Sequence, residues 1–152
     1  SQILIQKYLN NADNMHITLA GTNYLNASVA DGSLVFKIES GGNSRYVYTQ
    51  TNSWIANTWY HFAVVYVYSS PCDTTKTKIY INGVDQTVAL SCGALTQSLN
   101  YAADTRIGGY QADTGDLVAG SYYFWGVIDE VRIYKRALTQ TEIQEDMSTP
   151  LK

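Results

Sequence analysis

Charged residues are scarce in this chain of 152 residues: they make up 15% of it, and the net charge is −3. Such a balance argues against a phosphate-binding surface, so we expect no nucleic-acid partner. The sequence has no apolar run of about 18 residues, so we expect no membrane-spanning segment. It also has no signal peptide, as expected of a mature or trimmed chain.

Helix-favouring runs are absent before residue 137, whereas Tyr, Val, Ile and Thr dominate, as they do in strands. Short strand candidates follow one another, separated by Gly, Asn, Asp and Ser clusters, which is typical of a β-sandwich. They cover residues 3–8, 15–20, 24–29, 34–39, 45–49, 59–68, 76–81, 86–89, 105–107 and 122–134. No repeat or linker interrupts them, so we predict one domain over residues 1–152.

Two strand candidates differ in the pattern of their faces. Within residues 34–39, Leu34, Phe36 and Ile38 share one face, which we expect to be buried. Residues 62–68 are apolar on both faces, so we expect a central strand there. Asn82-Gly83 predicts a hairpin turn, because both residue types accept a positive φ.

The most informative stretch is GVIDEVRIYKRALTQTEI, residues 126–143. In a strand, Asp129 would share a face with Val127, Val131 and Ile133, so its carboxylate would need a partner. Two interpretations stay open: a structural Asp that ties down a loop, or a calcium ligand.

The same stretch ends with helix-starting signals. Thr139 and Glu142 form a capping box, and Leu138 and Ile143 are placed as a hydrophobic staple. We therefore predict a short helix over residues 140–147, which Pro150 prevents from continuing.

Four sequence blocks resemble laminin-G-like, concanavalin-A-like jelly-roll domains. They are the closing stretch, Thr58–Ala63 (W-x-H-x-A), Ile79–Gly83 (Y-x-N-G) and Thr105–Gly109 (x-x-I-G). The resemblance implies an all-β, two-sheet antiparallel sandwich with a short C-terminal helix. Residues 1–7 resemble the third strand of that family, which would leave an open sheet edge that a symmetric dimer covers.

Calcium binding is a hypothesis for the loop before the closing stretch. Residues 110–121 have mixed polarity and no period, and they include Asp113 and Asp116. If this loop folds back over Asp129, the three carboxylates and nearby carbonyls could share one Ca²⁺ ion.

The two cysteines, Cys72 and Cys92, are nearly symmetric about Asn82-Gly83. If the hairpin register extends that far, the two sulfurs face each other, so we predict a disulfide rather than two free thiols. Closing a loop of that size contributes about 3 kcal/mol. A disulfide would imply an oxidising, extracellular or cell-surface setting.

A region rich in aromatic and polar residues indicates sugar binding. Sugar rings stack on aromatic faces, and their hydroxyls bond to polar side chains. The candidate ligand-binding residues are Arg45, Tyr46, Tyr48, Trp54 and Tyr110. The alternative is that these tyrosines simply pack across strands.

The sequence lacks the signs of a catalyst. Asp129 and Glu130 are adjacent and would point to opposite faces of a strand, whereas a retaining glycosidase needs two carboxylates about 5 Å apart. No E-x-D-x-x-E, G-x-S-x-G or Walker-type motif is present. We therefore predict a non-catalytic module that binds a glycan or polysaccharide. A protein-binding adhesion module is the alternative, and a polysaccharide hydrolase or lyase comes third.

Overall fold

The computed structural model describes residues 1–10, 13–22, 24, 28–69, 73–95, 102–109 and 122–150. In these ranges the chain forms strands and one α-helix. The strands are β1 (Gln2–Asn10), β2 (Asp13–Leu19), β3 (Leu34–Ser40), β4 (Asn43–Thr49), β5 (Phe62–Tyr66), β6 (Thr77–Ile81), β7 (Val84–Asp85), β8 (Thr87–Cys92) and β9 (Thr105–Ile107), and the helix is α1 (Gln140–Met147). No helix in the described part of the chain is long and apolar enough to cross a membrane.

The strands form two antiparallel sheets. The larger has the order β8-β4-β3-β2-β1-β9 and the smaller the order β5-β6-β7. Apolar side chains from both sheets meet in one core, which includes Ile17, Phe36 and Val47 from the larger sheet and Ile79 and Ile81 from the smaller. Together with the short C-terminal helix, this arrangement is the predicted jelly-roll sandwich.

The side-chain pattern of β3 explains why it is a central strand. Leu34, Phe36 and Ile38 alternate along it and are almost fully buried against the other sheet, as predicted. Val35 points the other way and is also buried, because Ala20 and Val29 pack against it. β3 is therefore covered on both faces at this end.

The expected open edge at the start of the chain is not there. β1 pairs with β2 on one side and with β9 on the other. The reason given above for a dimer, an uncovered opening strand, is therefore wrong.

The hairpin at Asn82-Gly83 is confirmed, with φ angles of 49° and 73°. Its two strands do not stay together, however, because β8 crosses to the larger sheet and pairs with β4, where Cys92 lies opposite Arg45. The long hairpin register from which the Cys72–Cys92 disulfide was inferred is therefore wrong. Cys72 lies outside the described residues, so the disulfide itself stays a prediction.

β5 is shorter than expected and lies at an edge. It covers Phe62–Tyr66 rather than residues 59–68, and among the described residues it pairs only with β6. All five of its residues are half-buried. The prediction of a central strand was wrong because apolar residues on both faces do not by themselves supply a second neighbour.

The predicted closing strand, residues 122–134, is not a strand. Among the described residues, its one strand-like contact is an isolated parallel bridge between Tyr123 and Ile3. Glu130 has a φ of 49°, which lies outside the range of extended strand residues. The strand predicted at 24–29 is not found at Tyr24, Ser28 or Val29 either, and residues 25–27 lie outside the described ranges.

The C-terminal helix agrees with its prediction. Thr139 caps α1 by accepting from the backbone N–H of Glu142, and the Glu142 carboxylate accepts from the backbone N–H of Thr139 at 2.8 Å. Ile143 is 1% exposed and anchors the helix to the sandwich. The side chains of Gln140 and Gln144 donate to the carbonyl of Gly83 at the hairpin.

Candidate ligand-binding face

The outward-facing side of the larger sheet, called the outer face below, is the candidate site. Directly opposed residues in an antiparallel sheet share a face. The pairings Tyr46–Lys37, Lys37–His16, His16–Gln6 and Gln6–Arg106 therefore place one row of side chains across five strands. At the usual strand spacing this row is roughly 19 Å long.

Tyr46 and Tyr48 both lie on the outer face, as their spacing predicted. Each is half-buried and packs against the small cluster of Ala20, Val29 and Val35. Packing across strands therefore accounts for part of each ring, and the exposed part is available to a ligand.

Glu39 is the centre of a hydrogen-bond network on the outer face. Its carboxylate accepts from Asn14 at 2.7 Å, from Ser44 at 2.9 Å and from Lys37, whose Nζ lies 2.9 Å away. Burial alone would raise the pKa of Glu39, but the hydrogen bonds from these three side chains and the Lys37 charge outweigh it and lower that pKa. Glu39 is therefore ionised and its oxygens are well defined in position.

His16 is held neutral in the middle of the row. Its Nε2 lies 2.9 Å from the Tyr24 hydroxyl. Burial, and next the positive charge of Lys37, lower the pKa of His16 to about 4 in spite of the opposing charge of Glu39. Burial also raises the pKa of Tyr24, with help from the Glu39 charge. At neutral pH both groups therefore present uncharged donors and acceptors.

The row differs in accessibility from end to end. Gln6 is 1% exposed, whereas Tyr46, Lys37, His16 and Arg106 are partly exposed. Arg106 lies on the edge strand β9 and has no ion pair within the described ranges. A ligand would therefore reach the β4–β2 part of the row and, separately, the Arg106 edge.

Arg45 does not belong to this face, and its ligand-binding role stays a prediction that its position does not favour. It alternates with Tyr46 and points to the interior, where it is 8% exposed. Its guanidinium donates to the carbonyls of Gly93 at 2.9 Å and Ser69 at 2.7 Å, and it lies over the ring of Tyr68. The role of Arg45 is to tie loops to the end of the sandwich.

Trp54 also has a structural role. Its indole N–H donates to the carbonyl of Gly32 at 2.8 Å, and its ring packs edge-on against Tyr60, with centroids 4.9 Å apart. Because both its ring and its polar tip are engaged, it is a poor stacking platform. Tyr110 lies outside the described residues, so its ligand-binding role stays a prediction.

Asp129 is the one proposed calcium ligand that lies among the described residues. Asp129 is exposed rather than buried, and its Oδ1 accepts from the backbone N–H of Glu130 at 2.8 Å. The premise that Asp129 needs a partner in an apolar row is therefore wrong. Asp113 and Asp116 lie outside the described residues, and within those described no group of three or more acidic, His or Cys side chains could hold a metal.

Sequence reasoning missed His16, Lys37, Glu39 and Asn14 as members of one site. Polar and apolar residues alternate in β2 and β3, and this signal in the sequence indicated which face of its strand each polar residue occupies. The alignment of the two strands, which brings them together, was not visible in the sequence.

The two antiparallel sheets, the short C-terminal helix and the polar-aromatic outer face define a jelly-roll sandwich of the concanavalin-A-like class. The chain belongs to the Concanavalin A-like lectin/glucanases superfamily, whose Laminin_G_3 family model matches residues 6–144. This superfamily, by its description, includes both lectins and glucanases.

Comparison with other proteins adds one structural likeness. A crystal structure of an S-layer domain-containing protein from Clostridium thermocellum is similar over 97% of this chain, with 22% sequence identity and a TM-score of 0.45. This chain spans 63% of the length of that structure. No curated protein matches the chain.

Proposed function

We propose that this chain is a non-catalytic carbohydrate-binding module of a secreted or cell-surface protein, and that it binds a glycan on the outer face of its larger sheet. The observation that carries the proposal is the row in which the half-exposed ring of Tyr46 lies beside Lys37 and His16. An aromatic surface next to fixed polar groups suits a sugar, which has an apolar C–H face and a rim of hydroxyls.

Each group in the row has a distinct part in binding. The exposed part of the Tyr46 ring stacks on the sugar. Lys37 donates hydrogen bonds to sugar hydroxyls, and Glu39 accepts hydrogen bonds from them. Because Lys37 and Glu39 already hold each other at 2.9 Å, they lose little freedom when a ligand binds. Membership of the superfamily supports an extracellular or surface location for such a module.

The lowered pKa of Glu39 suits a hydrogen-bond acceptor and does not suit the general acid of a glycosidase. A general acid in glycoside hydrolysis has a raised pKa, so that it carries a proton at neutral pH. The pKa of Glu39 is lowered instead, by its donors and the Lys37 charge, so it acts only as an acceptor.

A protein-binding adhesion role is the second candidate, and exposed apolar side chains favour it. Trp125 is 86% exposed, Ile133 78% and Val127 72%. Exposed apolar groups close together on a surface commonly mark protein interfaces.

A glycan array followed by calorimetry tests the proposal. We expect binding to at least one glycan and a loss of about tenfold in affinity for Tyr46→Ala, the size expected for one aromatic contact. Trp59→Ala is the matched control, since Trp59 is 67% exposed next to the smaller sheet and should not affect binding. No binding to any glycan, with a protein partner recovered by pull-down, would favour adhesion instead.

Calcium binding through Asp113, Asp116 and Asp129 stays part of the proposal. Carboxylates are suitable oxygen donors for this ion. Calorimetry with calcium on chelator-treated protein is expected to show heat and a higher melting temperature. If neither changes, and Asp129→Asn behaves like the parent protein, calcium has no role here.

A further inference from the structure

The β4–β2 part of the outer face contains one pair of opposite charges. Its outward-facing residues are those that alternate with the core residues along β2, β3 and β4. Among these described residues only Lys37 and Glu39 are charged at neutral pH. Their charges cancel, so this part of the face has no net charge.

The Lys37 ammonium is already engaged by Glu39. Its Nζ lies 2.9 Å from Oε1 of Glu39, and both side chains are partly buried. Asn14 and Ser44 donate to the same carboxylate at 2.7 Å and 2.9 Å, which fixes its position. An acidic sugar could pair with Lys37 only by drawing it away from Glu39. That step would leave a partly buried carboxylate without its cation, which is costly.

Glu39 also repels a second anion at this place. Burial opposes its ionisation, but the hydrogen bonds that it accepts and the Lys37 charge lower its pKa, so the carboxylate is ionised at neutral pH. A sugar carboxylate or sulfate placed over the pair would lie close to this charge. Because the setting is partly buried, the repulsion is stronger than it would be in water.

The other basic side chains of the row do not offset this repulsion. Burial and the Lys37 charge lower the pKa of His16 to about 4, so His16 is neutral at neutral pH. Arg106 lies on β9, three strands from Lys37, which is roughly 14 Å at the usual strand spacing. That separation exceeds the screening length of about 8 Å at physiological ionic strength.

An uncharged hydroxyl can bind here without disturbing the pair. An ammonium has three donors and a carboxylate has about four lone-pair positions, so Lys37 and Glu39 each keep bonding capacity for a ligand. A protonated amino sugar would instead meet the like charge of Lys37. The pair therefore favours hydroxyls over charged groups of either sign.

We propose that the outer face selects uncharged glycans, and that the Lys37–Glu39 pair determines this specificity by excluding acidic sugars. The class of ligand is then a neutral polysaccharide or glycan, without uronic acids or sulfates at the bound position. This specificity rests on the proposed function, because it concerns the same face.

A glycan array tests the specificity of the parent protein. It carries neutral glucans, galactans and xylans beside polygalacturonate and heparin. We expect binding to a neutral glycan, and binding to each acidic one that is at least about tenfold weaker. Equal or stronger binding of an acidic glycan would overturn the specificity and leave the proposed function standing. Silence across the whole array would overturn both.

Glu39→Gln tests the pair itself, with Asp85→Asn as its matched control. Glu39→Gln keeps the size of the side chain but leaves Lys37 uncompensated, so affinity for polygalacturonate should rise at least about fivefold at low salt. Asp85→Asn changes the net charge equally and leaves Lys78 uncompensated on the smaller sheet, where the two side chains lie 3.0 Å apart. It should leave that affinity unchanged, and an equal rise in both variants would overturn the proposal.

Lys37→Gln provides the opposite change of charge. It leaves Glu39 uncompensated, so the variant should bind chitosan, whose amino groups are protonated at mildly acidic pH, more tightly than the parent protein does. Thermal melts show which variants are folded. If a folded Glu39→Gln or Lys37→Gln keeps the selectivity of the parent protein, the pair does not determine it and the proposal is wrong.

Discussion

β3 and the closing segment, residues 126–135 (called the strap below), contain similar residues and are buried to very different extents. Both alternate apolar and polar side chains, yet Ile38 of β3 is 1% exposed and Ile133 of the strap is 78% exposed. β3 has a paired strand on each side, whereas the strap has none within the part of the chain that the structure describes. Alternation thus supplies an apolar face, and strand pairing decides if that face is buried.

β5 is intermediate between these two regions. It has one neighbour, and every one of its residues is half-buried. The order from β3 through β5 to the strap follows the number of paired neighbours rather than the apolar content of the segment. The expected stability effects follow the same order.

The largest expected effect compares the same substitution in the two regions. Ile38→Ala should lower the free energy of unfolding by about 2–5 kcal/mol, because it leaves a cavity in a packed core. Ile133→Ala should change it by less than about 0.5 kcal/mol, since the side chain is exposed. Urea unfolding of both variants measures the difference. Similar losses would show that Ile133 is buried in solution.

The pH dependence of stability tests the outer face of β2 and β3, where His16 lies. The pKa of His16 is about 4 in the folded protein and 6.5 in the unfolded chain, so the unfolded chain binds the proton first. Stability is therefore full above pH 6.5 and falls as the pH drops towards 4, by at most about 3 kcal/mol. Thermal melts across this range measure it.

His16→Gln is the matched variant for that titration, because it keeps a hydrogen-bonding side chain without a proton that titrates. Its melting temperature should depend less on pH between 6.5 and 4. Burial also lowers the pKa of His61, so some slope should persist. Glu39, with its lowered pKa, adds a further loss as the pH falls below 4.5. An unchanged slope in His16→Gln would mean that His16 titrates normally.

A smaller effect is expected where α1 meets the hairpin. Gly83 has a φ of 73°, which an alanine rarely adopts. In Gly83→Ala, the new Cβ would also lie 2.7 Å from Cγ of Gln144. We expect a loss of about 1–2 kcal/mol in the free energy of unfolding. Gly42→Ala is the control, since Gly42 has a φ of 78° and open space around it, and it should lose less. Equal losses would mean that the helix contact is unimportant.

The smallest effect concerns the N-terminal cap of α1. Thr139→Ala removes the capping hydroxyl and should cost about 1 kcal/mol. Thr139→Ser, which keeps the hydroxyl, should change the unfolding midpoint very little. If both variants are equally stable, the capping box does not hold α1 in place.

Local features were predicted well. The capping box at Thr139 and Glu142 and the turn at Asn82-Gly83 each lie within a few residues, so nearby side chains and backbone preferences determine them. The strands of the larger sheet were placed within a few residues for the same reason: their alternation is strong and their ends are marked by turn residues.

Features that depend on distant partners were predicted poorly. Arg45 looked like a surface residue in a polar segment, but its position in β4 points it inward, where the carbonyls of Ser69 and Gly93 accept its hydrogen bonds. Likewise, the network around Glu39 depends on Asn14, which lies 25 residues away along the chain. Neither contact leaves a local trace in the sequence.

The amino-acid sequence by itself determined a β-sandwich of this family and a capped terminal helix, because alternation, turn chemistry and capping act over a few residues. Tertiary structure alone decided that β5 lies at an edge, that the strap is unpaired and that His16, Lys37 and Glu39 meet on one face. Those outcomes depend on strand order and register, which are set by packing between segments far apart in the chain.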